Sequence, residues 1–161
     1  MHNLIDNFWV RVLVLLLAAF APFICLLGYG ELSSYSQYWS TDYRPLFIFA
    51  NAATSYFLLS MKNWRIPALI LMIVTIFSYD QYLWIHNIAA IIFFIISGLA
   101  ILKSQKYQFY IIPYVLSGTI LFFSTILWTE IFAILTICAF HLHRYIRYTQ
   151  INSTRTRTRL I

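Results

Sequence analysis

The sequence predicts an all-α polytopic membrane protein: a bundle of six transmembrane helices with both termini cytoplasmic. Three observations predict it. The chain of 161 residues is 61% hydrophobic and only 10% charged, with a mean hydropathy of +0.76, well outside soluble composition. Its apolar runs approach the roughly 20 residues that an α-helix needs to cross about 30 Å of hydrocarbon. Ten of its 11 basic residues fall on one side when the connections are alternated across a membrane, a positive-inside pattern. A soluble fold would have to hide nearly every side chain, which a chain this short cannot do.

The spans are expected at 8–28, 45–61, 66–82, 84–102, 109–127 and 129–147, with short connections that make sequence neighbours antiparallel neighbours. The first contains "VLVLLLAAFAP", read as a retained helix rather than a leader because Pro22 directly follows the small-residue site. Pro45 and Pro67 stand near the starts of the second and third runs, where a missing N–H costs nothing. Pro22 and Pro113 lie inside runs and are expected to bend them. The third span reaches full length only if Ser78 to Tyr82 continue its helix. Residues 1–148 then form one transmembrane domain and 149–161 a basic cytoplasmic tail that hugs anionic headgroups. No internal repeat is visible, so the inverted-repeat signature of many transporters is missing.

The cytoplasmic side collects Arg11, Lys62, Arg65, Lys103, Lys106, Arg144, Arg147, Arg155, Arg157 and Arg159, with Asp6 the one acid. The opposite side collects Glu31, Asp42, Arg44, Asp80 and Glu130. Asn152 in "NST" matches a glycosylation pattern but falls on the side that would never meet the transferase. Cys25 and Cys138 lie in apolar runs without metal-ligand spacing and read as small buried hydrophobes.

On the outer face, three turns converge. The loop "GYGELSSYSQYWSTDYRPLF" supplies Ser34, Ser36, Tyr38 and Arg44; "SYDQYLWIHN" supplies Asp80, His86 and Asn87; the turn before the sixth span supplies Trp128 and Glu130. Asn51 lies about 10 Å deeper than Arg44 along the second span and extends the polar site inward. Arg44 and Glu130 could pair across the crown, leaving His86 to hydrogen-bond or transfer protons. Interfacial Tyr and Trp belts and polar loops occur in any membrane protein, so the cluster also has a purely structural reading.

The run Ser34-x-Ser36-x-Tyr38 followed by Thr41, Arg44 and Phe47, then "HNIAAIIFF", then "LWTEIFAI", resembles a group of small bacterial six-helix membrane proteins of unknown function. That group is similar to the Frag/DRAM/Sfk superfamily, whose eukaryotic members are linked to lipid-anchor remodelling and lysosomal or autophagic membranes. The resemblance runs from Ser34 to Phe140, and Trp39 stands where the bacterial pattern has a second Tyr. It implies the six-helix fold, a bacterial inner-membrane location and a polar outer site at Ser34, Ser36, Tyr38, Arg44, His86 and Glu130, without supplying a reaction.

The leading expectation is a site that binds or modifies a lipid headgroup. In it Arg44 clamps a phosphate, Tyr38, Ser34 and Ser36 orient it, Asn51, Asn87 and Trp128 complete the binding surface, and His86 with Glu130 or Asp80 serves as acid and base. A zinc variant on His86, Asp80 and Glu130 lacks close ligand spacing, so neither a metal nor another cofactor is expected. The expected partners are membrane lipids, a membrane protein or a second copy, but not nucleic acid. A non-catalytic partner subunit or sensor is the alternative, with Ser97-Gly98 and Ser117-Gly118 permitting close helix contacts. Ion-coupled transport is disfavoured because the mid-span polar groups, Asn51, Ser97, Thr119 and Thr136, are few and neutral. A bis-histidine haem fails because His86 lies at the other end from His141 and His143.

Overall fold

The computed structural model describes residues 7–120 and 123–158, the side chains of 151–158 excepted. Asp6, Arg159 and positions 121–122 of the fifth expected span lie outside the described residues, as do the side chains of Asn152, Arg155 and Arg157.

The described residues form six α-helices, α1 Phe8–Tyr29, α2 Arg44–Leu59, α3 Arg65–Ile76, α4 Leu83–Leu102, α5 Ile111–Thr119 and α6 Ile126–Thr158, with 3-10 segments at Tyr35–Ser40, Lys62–Trp64 and Gln105–Tyr110. Among the described residues there is no strand. Three helices among the described residues are long and apolar enough to cross a membrane: α1, α4 and the Ile126–Gln150 portion of α6.

Asn7 caps α1 by accepting from the Trp9 amide at 3.0 Å, a side-chain cap for an otherwise orphaned donor. The helix runs through the buried Pro22 and stops at Gly30, whose φ of 103° suits only a residue without Cβ. α4 matches its expected range. α6 continues to Thr158 as a helix of 33 residues, so positions 149–158 are helical.

The remaining helices are shorter than the apolar runs suggest. α3 ends at Ile76 because Phe77 turns extended, with φ −83° and ψ 112°. Ser78 to Tyr82 form a turn in which the Ser78 hydroxyl accepts from the Gln81 amide, and they do not continue the helix. α3 therefore covers 12 residues, about 18 Å. α5 covers nine, about 14 Å, and Pro113 sits in its first turn, where it removes no helical hydrogen bond. α2, with 16 residues, reaches about 24 Å.

The helices pack in order, α1 on α2, α2 on α3 and α3 on α4, while α6 lies against α1 and α5. The largest core groups are Trp64, Tyr38, Phe47 and Phe140. Their outer faces are apolar too. Trp9, Leu13, Leu16, Phe20, Ile24 and Leu27 form one exposed stripe on α1, and Trp84, Ile88, Ile91, Ile95, Leu99 and Leu102 another on α4. The steps of three and four place each set on a single face. Each stripe covers 18 residue steps, about 27 Å.

Side-chain contacts sort the turns into two ends. The Tyr35–Ser40 segment, the 77–82 turn and the start of α6 meet at one. The start of α1, Trp64, the Gln105–Tyr110 segment and residues 140–145 of α6 meet at the other.

Candidate functional site

The acidic end is organised by the Tyr35–Ser40 segment, which lies across the bundle and is tied to every neighbour. Ser34 caps it, accepting from the Ser36 amide at 3.1 Å. The Ser34 hydroxyl and the Tyr35 amide then donate to one oxygen, Oε2 of Glu130, at 2.8 and 2.6 Å. Beside them the Leu127 amide donates to the Ser33 carbonyl. Tyr38 donates its hydroxyl to the Gly30 carbonyl at 2.6 Å, fixing the segment to the end of α1. Trp39 reaches the Thr75 carbonyl on α3, and Gln37 and Ser40 reach Tyr79 and Asp80 in the following turn. Six residues thus bridge α1, α3, α6 and the α3–α4 turn.

Beneath the segment lies a chamber of about 60 Å³, measured as space for the centres of water-sized molecules. Ala18, Ala50 and Ala90 from three helices line it, and their small side chains leave the space open. Most of the remaining wall is apolar, including Phe47, Leu71, Val74 and Phe93. Its polar groups are Tyr35, Ser36, Asn51, Thr54 and Glu130. Thr54 is satisfied by the Ala50 carbonyl at 2.7 Å. The Tyr35 hydroxyl is buried without a hydrogen-bond partner, a rare condition that a bound group could relieve.

Burial, followed by the nearby Cys25 and Glu130, holds the Tyr35 phenol well above its ordinary pKa of 10. Tyr38 is raised as well, again chiefly by burial. Both therefore remain neutral hydroxyls at physiological pH.

The sequence-predicted residues divide between different roles. Ser34, Ser36, Glu130 and Asn51 gather around the chamber and its roof. Arg44 does not pair with Glu130: its Nε donates to the Trp39 carbonyl at 2.9 Å and its guanidinium lies 4.5 Å from the Trp39 ring centroid. That engagement holds Arg44 over Trp39, at an exposed position of the crown. Tyr38 is fully buried and spends its hydroxyl on Gly30. Trp128 donates to Glu31 at 3.0 Å. Asp80 is an exposed acceptor for Ser40.

His86 is also fully buried. Its Nδ1 lies 2.8 Å from the Phe77 carbonyl, the group freed where α3 stops, and its ring packs edge-on against Tyr79. The imidazole thus ties the end of α3 to the first turn of α4, with half-buried Asn87 beside it. Among the described residues no three His, Cys, Asp or Glu side chains come together to hold a metal.

Tyr35 and the alanines were not visible as site residues in the sequence, whereas Thr54, three residues beyond Asn51 on the second span, falls on the expected inward extension of the polar site. A signal existed for the alanines, since small residues recur on α1, α2 and α4 among larger aliphatic ones. Nothing local marks Tyr35, whose neighbour Glu130 is 95 positions away. No protein-family model, curated protein or solved structure matches this chain.

Proposed function

We propose that the chain is a multi-pass protein of a bacterial cytoplasmic membrane that binds a lipid-like amphiphile in the chamber beneath the Tyr35–Ser40 segment. The observation that carries this reading is the unpartnered hydroxyl of Tyr35, a residue that lines the mostly apolar chamber together with Glu130. A hydrocarbon portion would lie among Phe47, Leu71 and Phe93. Its polar junction would accept from Tyr35 and meet Ser36, Asn51 and Glu130. We take binding rather than chemistry as the half of the headgroup reading to propose: Asp80 Oδ1, Arg44 Nε and His86 Nδ1 each engage protein atoms, and the remaining His86 nitrogen, Nε2, is buried without a partner.

Membrane residence is supported by the two apolar stripes, whose length of about 27 Å approaches the hydrocarbon thickness. Counted with the 3-10 turns before them, α3 and α5 contribute roughly 24 and 26 Å, close to α2. Six crossings with modest mismatch then follow, the basic end and both termini facing the cytoplasm.

Native mass spectrometry of the detergent-purified chain tests the proposal. Wild type should retain a lipid-sized adduct that Ala50→Leu, which fills the chamber, removes. Ala52→Leu, at an exposed position of the same helix, should leave it bound. An adduct indifferent to Ala50→Leu would refute the assignment. A partner-subunit reading is favoured by one observation: among the described residues α5 buries only Ser117, and none of them comes near a would-be Cβ at Gly118. The same spectra would show such a partner as a second protein mass. Ser97-Gly98, by contrast, is filled from within the bundle, because the Tyr114 ring lies 3.0 Å from a Cβ at Gly98.

A further inference from the structure

The opposite end of the bundle holds a second and chemically different cavity. It opens between α1, the end of α2, the Gln105–Tyr110 segment and α6, and offers about 320 Å³ for the centres of water-sized molecules. Arg11, Arg144 and Arg147 line it together with Tyr107, Tyr145 and Tyr148. Arg144 and Arg147 stand three residues apart on α6 and so share one face. The Arg11 guanidinium is 4.8 Å from the Tyr145 ring centroid, a stacking that positions it from the α1 side. Among the described residues, those lining the cleft include no acid.

Three arginines near a membrane surface could be ordinary snorkelling anchors. Two observations set this cleft apart. Its buried wall includes His141, 2% exposed, whose Nε2 has no hydrogen-bond partner. That wall also contains Phe57 and Met61, so the cavity joins an apolar face to a rim of guanidinium and phenol donors. An anchor needs neither a built cavity nor an orphaned imidazole nitrogen. Guanidinium forks match phosphate oxygens in pairs, and basic pockets between membrane helices are recurrent sites for anionic headgroups.

We propose that this cleft binds a phosphate ester, with Arg144 and Arg147 gripping the phosphoryl oxygens. The His141 nitrogen and the phenols supply further hydrogen bonds. The phosphate can belong to a lipid headgroup or to a small soluble ester, and the recognition chemistry is the same.

The full chain in nanodiscs distinguishes these sources. One arm compares phosphatidylcholine discs with discs containing added phosphatidic acid. The other titrates glycerol phosphate into phosphatidylcholine discs. Trp64, whose ring centroid lies 4.3 Å from that of His141, provides a fluorescence reporter packed against the cleft wall. Saturable binding should appear in at least one arm. It should weaken about tenfold or more in the double variant Arg144→Gln, Arg147→Gln, and also in Arg144→Lys, Arg147→Lys, which keeps charge but loses the forked geometry. The control Lys62→Gln, Arg65→Gln removes equal charge from exposed positions of the same end and should leave binding within about twofold of wild type. Lipid-only or ester-only binding with this variant pattern assigns the source. Binding in neither arm, or equal loss in the control pair, would overturn the proposal.

Discussion

Glu130 gives the sharpest test of how the acidic end is held. In Glu130→Ala the Ser34 hydroxyl and the Tyr35 amide, both on buried residues, lose their shared acceptor. Each buried donor left unsatisfied costs about 1–3 kcal/mol, and the relieved desolvation of a carboxyl group returns part of that. The net loss should be near 3 kcal/mol. For a chain of this size that is about 6–12 °C in melting temperature. In Glu130→Gln the amide oxygen can still accept both donors, so the loss should be about 1 kcal/mol or less. Cys138 lines the chamber, so thiol labelling in a Cys25→Ala background follows the roof as it detaches. Labelling should accelerate in the alanine variant at temperatures where the glutamine variant stays protected. Equal stability and equal labelling of the two variants would refute this account of the segment.

His86→Ala should lower the yield of folded protein by about 2–4 kcal/mol of stability, combining a vacated core site with the lost bond to Phe77. His86→Asn, which can again donate to that carbonyl, should recover part of it in a detergent melt. The tyrosines set an alkaline limit. Because the folded state holds the Tyr35 and Tyr38 protons above the ordinary phenol pKa, their contribution is complete below about pH 10 and falls as the unfolded chain ionises above it. Tyr35→Phe should flatten that alkaline decline in melting temperature while leaving the profile near neutrality unchanged.

Apolar composition was enough to locate the described α-helices, but not their lengths. "SYDQY" could continue a helix or end one. The outcome turns on the Phe77 carbonyl finding the His86 nitrogen, a contact that hydropathy cannot express. The polar crown was legible as a cluster because turns at one end must meet. Its pairing was not, since Ser34 and Tyr35 compete with Arg44 for the same carboxylate and only backbone placement decides between them. Tyr35 reads in the sequence as one more interfacial aromatic. Its burial follows from the 3-10 turn that carries it across the bundle.

The same turn has a consequence for biosynthesis. The Ser34 and Tyr35 donors wait for an acceptor 95 and 96 residues downstream, which a ribosome adding about 5–20 residues per second delivers roughly 5–20 s later. Throughout that interval α1 and α2 can associate, but residues 33–36 have no Leu127 or Glu130 to meet. Closure of the acidic end is therefore a late, C-terminally triggered event. A nascent chain arrested before residue 127 would expose this segment to proteases and chaperones however well its first helices had inserted.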